Sequence, residues 1–427
     1  MITVSDLSLN YSGTPLFSHV DLQFLRGNCY GIIGANGAGK STFLKILSGD
    51  LEPSTGEVSI LPNTRMSVLK QNQNAYDAYN VMDTVIMGNQ RLYDIGKEKE
   101  ALYAKEEMTD EDGMRACQLE EEYAELGGWE SESDASRILQ GLGIGTDLHD
   151  NDMATLDARL KVKVLLAQAL FGSPDLLMMD EPTNNLDIDA VNWLEDFLLD
   201  FPGTVIVVSH DRAFLDNIAT RILEMEGGHL TSFKGNYSKY LVQKELQTAT
   251  LEAAYASQQD YIARTEAYIR RFKAGIKSKM ARGRQSQLDR LERMDAPVQH
   301  EEFALCLPPA PESAERVLIL DNLSVGYGDN VLLHDIDLVL RKGEKVGLLG
   351  PNGTGKTTLL KTVLGELPPL KGTAQLGNRV KVGYFSQSYE RLAPKQTLLD
   401  NFLVEYGFTE ERTRSLLGAQ SPEVGLV

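Results

Sequence analysis

The stretch GANGAGKS at residues 34–41 decides the fold, and GPNGTGKT at residues 350–357 repeats it. Both match GxxxxGK[ST], in which glycines let successive backbone N–H groups turn toward one anion, because a Cβ would obstruct that turn. The lysine after the last glycine reaches the β- and γ-phosphates of a nucleotide, and the hydroxyl residue after it ligates Mg²⁺. The pattern therefore predicts two sites, each for a nucleoside triphosphate with its magnesium ion.

The two loops belong to a longer internal repeat. The text from Leu7, LSLNYSGTPLF, aligns without a gap with LSVGYGDNVLL from Leu323, at a constant offset of 316 residues. In each copy a short apolar strand, CYGIIG or KVGLLG, precedes the loop, and a periodic helix, STFLKIL or TTLLKTV, follows it. This is the strand, loop and helix order of P-loop NTPases. The fold class is therefore α/β, with two P-loop domains.

Two later apolar runs in the first copy each end in chemically active residues. LLMMDEP is typical of a buried strand that delivers Asp180 to the Mg²⁺ shell and Glu181 to the attacking water, which it would orient and polarise. TVIVVSHD repeats the design and brings His210 to the same sheet edge, where it can sense the γ-phosphate. Glu181 and His210 are thus the candidate catalytic residues. The alternatives are a solvent-facing acidic pair and a structural histidine.

Composition and charge restrict the class of protein. The chain has 427 residues, 42% of them hydrophobic, which argues against a disordered or fibrous protein. No apolar run approaches the ~18 residues of a membrane helix, and no basic-then-apolar leader opens the sequence. The three cysteines form no metal or disulfide pattern, as expected in a reducing cytosol. The net charge is −19, but it is unevenly distributed.

Charge is concentrated in two segments of opposite sign. Residues 94–134 hold 15 acidic and 4 basic side chains, whereas residues 264–293 hold 10 basic and 3 acidic ones. The basic segment lies between two stretches of helical periodicity, which predicts an antiparallel helical hairpin with a positive tip. A solvated charged face is the alternative, but a local basic excess in an acidic protein favours an RNA backbone partner. The residues assigned to RNA contact are Arg270, Arg271, Lys273, Lys277, Lys279, Arg282 and Arg284.

With these motifs in place, the chain resembles the ATP-binding cassette (ABC) proteins. Tyr11 stands where that family stacks an aromatic ring on adenine, Gln71 at its Q-loop glutamine, and His210 at its switch histidine. DEPTNNLD, from Asp180, matches the Walker B carboxylates and the D-loop.

The motifs and the resemblance together assign the nucleotide site. In the first copy the ATP-binding residues are Tyr11, Gly34, Ala35, Asn36, Gly37, Ala38, Gly39, Lys40, Ser41, Thr42 and Gln71. In the second copy they are Tyr327, Gly350, Pro351, Asn352, Gly353, Thr354, Gly355, Lys356, Thr357 and Thr358. The residues assigned to Mg²⁺ are Ser41, Gln71, Asp180, Thr357 and Gln387.

Two cassettes joined by a basic helical linker, without a membrane domain, resemble the ABC-F family of tandem cassettes. The resemblance implies a cytoplasmic ATPase, monomeric with intramolecular cassette pairing, whose linker enters the ribosome and approaches tRNA. It implies ATP and Mg²⁺ as cofactors, closure on ATP and release on hydrolysis. The expected divisions are a first cassette at 1–90 and 136–235, an acidic arm-like helical insert at 91–135, a hairpin linker with a basic tip at 236–305, and a second cassette at 306–427.

The signature of the first cassette departs from the family pattern. Members of the family carry LSGGE or a close variant where this chain reads LDARL, at residues 156–160. Asp157 is a favourable N-cap, so the following helix is expected to form. As an anion receptor it is poor, because a carboxylate about 4 Å from a phosphate charge costs on the order of 4 kcal/mol at an effective dielectric of ~20. The sequence predicts that the helix survives and the phosphate sensor is lost.

The second cassette is expected to be incomplete. Asp180 follows Lys40 by 140 residues, whereas 71 residues follow Lys356. The second copy should therefore lack its signature, Walker B, D-loop and switch histidine, so that neither composite site of a head-to-tail sandwich is whole. Its truncated sheet should also leave apolar surface uncovered.

Three functions remain open at this point. The first is an ABC-F-type ATP hydrolase that acts on ribosomes. The second is a non-hydrolysing ATP-binding protein that docks on RNA through residues 236–300. The third is a nucleotide-binding subunit of a transporter, and this function does not explain the basic hairpin.

Overall fold

The computed structural model describes most of the chain as two compact units, Met1–Pro297 and Val298–Val427. The described residues are 2–11, 14–70, 72–105, 109–272, 278–291, 293–294, 312–328, 330–385, 396–397, 399–401, 403, 409–411 and 413–415. The predicted site residues Gln71, Lys273, Lys277 and Gln387 lie outside them.

The first unit contains nine strands and ten α-helices within its described residues. Its strands are β1 (Ile2–Tyr11), β2 (Thr14–Phe24), β3 (Cys29–Gly34), β4 (Thr55–Ile60), β5 (Met66–Val68), β6 (Leu176–Asp180), β7 (Thr204–Val208), β8 (Arg221–Glu226) and β9 (His229–Lys234). Its helices are α1 (Lys40–Leu47), α2 (Val81–Ile86), α3 (Gln90–Tyr103), α4 (Asp110–Glu125), α5 (Ser131–Gly141), α6 (Ala158–Leu170), α7 (Ile188–Leu199), α8 (Arg212–Ile218), α9 (Tyr237–Phe272) and α10 (Ser278–Asp289).

A six-stranded sheet in the order β5-β6-β7-β3-β8-β9 positions the site. All neighbouring pairs are parallel except β8 with β9. Strands covered on both faces need apolar side chains throughout, which explains the continuous apolar runs of β6 and β7. Because β6, β7 and β3 are adjacent and parallel, their carboxyl ends meet at one edge of the sheet.

A second, antiparallel sheet in the order β2-β1-β4 covers α1. The Phe17 ring of β2 meets the Phe43 ring of α1 edge-on, with 5.7 Å between centroids. Phe17, Phe43 and Leu47 are fully buried. This packing fixes the axis of α1, and with it the loop that precedes the helix.

A helical layer lies on the other side of the six-stranded sheet. α2 and α5 pack on α6, and all three join one core with β6 and β7. Nine of the 13 residues of α6 are buried, including Lys161 and Lys163, so this helix is central to the unit.

The acidic segment forms an α3–α4 pair held by its own ion pairs. Arg91 makes two hydrogen bonds to Glu122, at 2.6 and 2.5 Å, and Arg115 makes two to Glu98, at 2.8 and 2.9 Å. The buried ammonium of Lys99 lies 4.1 Å from the Tyr123 ring centroid. Glu98, Glu120 and Glu122 therefore each have a cationic partner on the facing helix.

α9 and α10 run antiparallel. The Arg284 guanidinium stacks on the Tyr268 ring at 3.9 Å, and the Met294 amide donates to Gln258 at 2.8 Å. Later positions of the second segment thus meet earlier positions of the first, and α10 packs along α9. α9 has 36 residues, but within the described chain no helix is long and apolar enough to cross a bilayer.

The second unit repeats the first at the same offset. It contains β10 (Arg316–Tyr327), β11 (Asn330–Arg341), α11 (Lys356–Val363) and β12 (Lys371–Leu376), in the sheet order β11-β10-β12. These elements correspond to β1, β2, α1 and β4, which confirms the internal repeat. Leu320, Leu323, Val325 and Leu359 form its core.

The prediction of a strand at KVGLLG is wrong. Residues 344–350 form no strand, and Val346 and Leu349 are 61% and 81% exposed. In the first unit the equivalent β3 is held between β7 and β8. An apolar run needs such neighbours to complete its ladder, and the described residues of the second unit provide none.

Candidate phosphate site

The first glycine-rich loop has the backbone that its sequence predicts. Gly34 and Gly39 have φ angles of 154° and 98°, and Gly39 precedes α1 without a side-chain cap. A Cβ on Gly34 would lie 2.4 Å from the Met225 carbonyl oxygen, and one on Gly39 would lie 2.8 Å from Leu16. Both positions therefore require glycine, and the free N–H groups of the first turn of α1 suit an anion.

Lys40 is buried and points back into its own loop. Its Nζ donates to the carbonyl oxygens of Gly34 and Ala35, each at 2.9 Å. Burial lowers the pKa of the Lys40 ammonium below its usual value, and the nearby charges of Glu181 and Asp180 partly oppose that shift. A lysine at this position needs an anion more than a solvated lysine does.

Ser41 and Asp180 line one cavity of about 510 Å³ at the edge of the sheet. Ser41 is the second residue of α1, and Asp180 is the last residue of β6. Hydroxyl and carboxylate oxygens are the ligands that Mg²⁺ prefers, together with phosphate oxygens. The residues present therefore fit a magnesium ion bound with a nucleotide.

Glu181 and His210 line a second cavity of about 640 Å³, and Glu181 follows Asp180 directly in the chain. Glu181 has a φ of 50°, and its amide donates to Val208 at 2.8 Å, which places the carboxylate at the end of β7. Glu181 Oε2 accepts from the His210 amide at 3.3 Å, and Oε1 lies 3.7 Å from His210 Nε2.

Glu181 Oε1 accepts no hydrogen bond within the described chain. This oxygen is buried and accepts none from any residue that the structure describes. A buried oxygen without a donor is costly. The arrangement suits a carboxylate that accepts a hydrogen bond from a water positioned for attack.

Tyr11 and Gln71 are the predicted adenine and Q-loop residues of the first copy. Tyr11 ends β1, opposite Thr14 in the β1–β2 hairpin. Gln71 lies between the described residues Lys70 and Asn72, both of which line the cavity that contains Ser41 and Asp180.

The second glycine-rich loop has the same backbone as the first but different surroundings. Gly350, Gly353 and Gly355 have φ angles of 158°, 81° and 96°. Lys356 Nζ donates to the carbonyl oxygens of Gly350 and Pro351, each at 2.5 Å.

Three further residues predicted to bind nucleotide in this copy differ in their exposure to solvent. Thr357 is exposed, Thr358 is buried, and Tyr327 is 54% exposed at the end of β10. No acidic pair equivalent to Asp180 and Glu181 is present in the described part of this unit.

The altered signature forms a capped helix, as predicted. Asp157 precedes α6, and its Oδ1 accepts from the Leu160 amide at 2.8 Å. The carboxylate thus occupies the helix N-terminus, where the family pattern would present amides to a phosphate. Arg159 is exposed.

The sequence analysis missed two lysines that tie α6 to the loops on either side. Lys161 Nζ contacts Asp77 Oδ1 at 2.5 Å and Asn74 Oδ1 at 3.2 Å, just after the Q-loop position. Lys163 Nζ donates to the Leu142 carbonyl at 2.7 Å and lies 3.4 Å from Asp187 Oδ2, at the end of the D-loop. Their positions in the sequence could have indicated this role, because both lysines interrupt the apolar residues of a helix that is mostly buried.

Five of the seven residues assigned to RNA lie within the described chain, and all five are exposed on the helical pair. Arg270 and Arg271 lie in the last turn of α9, and Lys279, Arg282 and Arg284 lie on α10. They border residues 273–277, which lie outside the described chain.

Comparison with protein families agrees with this geometry. A family model described as ABC transporter matches residues 17–184 and 333–423, which include both glycine-rich loops. A second model, also described as ABC transporter, matches residues 223–305, which include α9 and α10.

Known proteins resemble the chain along most of its length. The "Uncharacterized ABC transporter ATP-binding protein YkpA" of Bacillus subtilis (strain 168) is 42% identical over 387 residues, which cover 90% of this chain and 72% of YkpA. The "Probable ATP-binding protein YbiT" of Escherichia coli O157:H7 is 38% identical over 424 residues, which cover 98% of this chain and 80% of YbiT. The "ATP-binding protein Uup" of Haemophilus influenzae is 34% identical over 409 residues, 94% of this chain and 62% of Uup.

Proposed function

The chain belongs to the ABC transporter family of ATP-binding proteins, and from that premise we propose that it is an ABC-F-type ATPase that binds MgATP in its first unit and acts on the ribosome. One observation carries the proposal. The basic helical pair of α9 and α10 follows β9 directly, so it grows out of the same unit that contains Lys40, Asp180, Glu181 and His210.

The site supports binding and hydrolysis through separate groups. The amides of the loop and Lys40 bind the β- and γ-phosphates, while Ser41 and Asp180 would hold Mg²⁺, which neutralises charge on the phosphates. Glu181 orients the attacking water through its unsatisfied oxygen and accepts its proton. His210, whose Nε2 lies 3.7 Å from Glu181, contacts the γ-phosphate.

An ATPase assay tests the enzymatic part of the proposal. The wild-type chain should hydrolyse ATP above background in the presence of Mg²⁺, and Lys40→Ala should abolish both binding and turnover. A wild-type chain that binds MgATP without turnover would instead support the second candidate, a non-hydrolysing ATP-binding protein that docks on RNA. Asp157, which fills the N-terminus of α6, is the observation that favours this candidate.

The ribosome as partner is supported by the charge and exposure of the helical pair. Phosphate-rich RNA neutralises cationic side chains with release of counterions, so binding should weaken steeply with salt. Co-sedimentation with 70S ribosomes, with and without MgATP and across a salt series, tests this part. Pelleting that requires ATP and weakens with salt is expected, and the absence of pelleting at low salt would contradict the proposal.

A charge-reversal variant locates the RNA contact. Arg270→Glu, Lys279→Glu and Arg282→Glu together should reduce ribosome affinity by about tenfold or more, since each loses a phosphate contact. The matched control reverses three exposed cations of the first cassette, Arg26, Arg137 and Lys234, for the same change of net charge. Equal losses in the two variants would show that the effect follows net charge and not the helical pair.

A further inference from the structure

The start of α9 is fastened to the two elements that border the phosphate site. α8 begins at Arg212, two residues after His210, and Asp211 caps it by accepting from the Ala213 and Phe214 amides at 3.0 and 3.1 Å. β8 is the parallel neighbour of β3 and pairs Met225 with Gly34 of the loop. Each of these elements makes a separate attachment to α9.

The first attachment joins α9 to α8. Asp216 Oδ1 accepts from the Ser238 amide at 2.7 Å, and its Oδ2 accepts from the Ser238 hydroxyl at 2.9 Å. The Asp216 carbonyl accepts from Asn236 Nδ2 at 3.2 Å. At the other end of α8, the Arg212 guanidinium lies 5.9 Å from the Tyr237 ring centroid. The first turn of α9 is therefore held at both ends of the helix that follows His210.

The second attachment joins α9 to β8. The buried Tyr240 hydroxyl donates to Glu224 Oε1 at 2.6 Å, and Lys244 Nζ donates to Glu224 Oε2 at 2.7 Å and to Glu226. Burial, and then the hydrogen bond to Glu224, raise the pKa of the Tyr240 phenol. Burial is the largest single effect on the Lys244 ammonium and lowers its pKa, but the hydrogen bonds to Glu224 and Glu226 and their charges together raise the pKa above its usual value.

These contacts make the base of α9 continuous with the γ-phosphate side of the site. We infer that the α8–α9 junction, centred on Asp216 and Ser238, transmits the nucleotide state sensed at His210 to the helical pair. The inference rests on the proposed function, because it requires MgATP at the first loop. It names Asp216 as a positioning residue, since this side chain acts through the backbone of α9 and not on the phosphates.

The length of α9 amplifies small movements at its base. A helix of 36 residues is about 54 Å long at 1.5 Å per residue, so a rotation of about 5° moves its far end by roughly 5 Å. A shift of His210 toward a γ-phosphate can thus move the basic residues near the end of α9 without any rearrangement inside the helix.

A distance measurement between two spin labels tests the junction in the full chain. We place cysteines at Glu57, an exposed residue of β4, and at Glu266, an exposed residue near the end of α9. Cys117 and Cys306 are replaced by serine, while the buried Cys29, whose thiol pKa burial raises to about 12, is kept. MgATP is expected to shift the mean distance by several Å in the wild-type background.

The variants separate transmission from nucleotide binding. Asp216→Ala and His210→Ala should each lose most of the shift, whereas Asp216→Asn, which can still hydrogen-bond Ser238, should retain it. For Asp216→Ala, MgATP affinity should stay within about twofold of wild type. Asp260→Ala, which breaks the exposed Asp260–Arg264 pair within α9, is the matched control and should shift normally. Lys356→Ala should also shift, because the junction does not involve the second loop.

The outcomes distinguish this inference from the proposed function. A wild-type chain that does not bind MgATP overturns both. A chain that binds MgATP without a change in distance, or an Asp216→Ala variant with the full shift, overturns the inference and leaves the proposed function standing. Loss of the shift in Lys356→Ala would also overturn the inference, because it would assign the motion to pairing of the two loops.

Discussion

Glu181 is the residue on which turnover should depend most. Its buried Oε1 makes no hydrogen bond within the described chain, although its Oε2 is held by the His210 amide. Glu181→Gln keeps the shape and the contact to His210 but cannot accept a proton. We expect ATP turnover to fall by roughly 10²- to 10⁴-fold, the usual contribution of a general base, with MgATP affinity little changed.

A second carboxylate in the neighbourhood provides the control for Glu181→Gln. Glu195 lines the cavity next to Glu181, but its Oε2 accepts from Asn217 at 2.8 Å. Glu195→Gln should leave turnover nearly unchanged in the same assay. A similar loss in both variants would indicate a general effect of charge and would contradict the assigned role of Glu181.

Asp157 should act as a helix cap and not as a phosphate ligand. Its side chain accepts from the Leu160 amide at 2.8 Å. Asp157→Ala should therefore lower the local stability of the first turn of α6 by about 1 kcal/mol, whereas Asp157→Ser should change it little, because serine caps equally well. Hydrogen exchange of the Leu160 and Lys161 amides measures this difference. Unchanged protection in Asp157→Ala would show that the cap contributes nothing.

Local chemistry at the site could be read from the sequence, whereas the partners of buried charges could not. The glycine φ angles, the Asp157 cap and the strand-end position of Asp180 follow from short motifs with a physical requirement. Lys161 contacts Asp77, 84 positions away in the chain. A contact over that distance depends on tertiary packing, which no local pattern encodes.

At the scale of elements, two similar apolar runs form different structures. CYGIIG is a central strand, β3, whereas KVGLLG is not a strand. Their local propensities are alike, so the difference lies in their neighbours. β7 and β8 complete the ladder of β3, and the described residues of the second unit supply no equivalent pair. Parallel strands form through such non-local pairing, and a window of sequence cannot predict it.

The stability of the first turn of α4 should depend on pH. Asp112 accepts hydrogen bonds from Lys105 at 2.6 Å and from Thr109, and these lower the pKa of its carboxyl from 3.8 to about 2. A carboxyl with a lower pKa in the folded state stabilises the fold fully above the unfolded value. That contribution is lost as the pH falls from about 4 through about 2.

A titration of Asp112 tests the origin of this shift. Lys105→Met removes the largest cause, so the pKa of Asp112 should rise toward 3.8, as measured by carbon NMR of the carboxyl group. Lys97→Met, at a lysine of α3 that bonds Glu100 instead, is the matched control and should leave Asp112 unchanged. An Asp112 midpoint near 3.8 in the wild-type chain would contradict the structure of this cap.

At the scale of the whole molecule, the repeat and the charge segregation follow from sequence alone. The offset of 316 residues relates β1 to β10 and α1 to α11, and the basic segment falls on α9 and α10 as the charge pattern predicts. Among the described residues of the second unit, Phe385 is 98% exposed and Val346 is 61% exposed. The two glycine-rich loops have similar backbones but different neighbouring residues. That difference could not be read from the loop sequences themselves.

The exposed apolar residues of the second unit should make this chain self-associate. Val346→Thr and Phe385→Ser together should lower binding of a hydrophobic dye and shift sedimentation toward a single small species, because large exposed apolar patches drive association. MgATP affinity at the first loop should not change. The matched control is Trp129→Ser, an exposed aromatic of the first unit. An equal decrease with the control would show that the second unit is not the source.

The buried bonds of Lys161 and Lys163 also bear on how such a chain persists in a cell. Lys161 bonds Asp77 and Lys163 bonds the Leu142 carbonyl, and both contacts hold α6 in place. Neither contact depends on what residues 157–160 can bind. Substitutions there that keep a helix cap, as Asp157→Ser does, should therefore leave the folding equilibrium nearly intact. Quality-control proteases respond to unfolded populations, not to lost activity. A substitution that impaired anion binding there would therefore change the function of the protein more than its abundance.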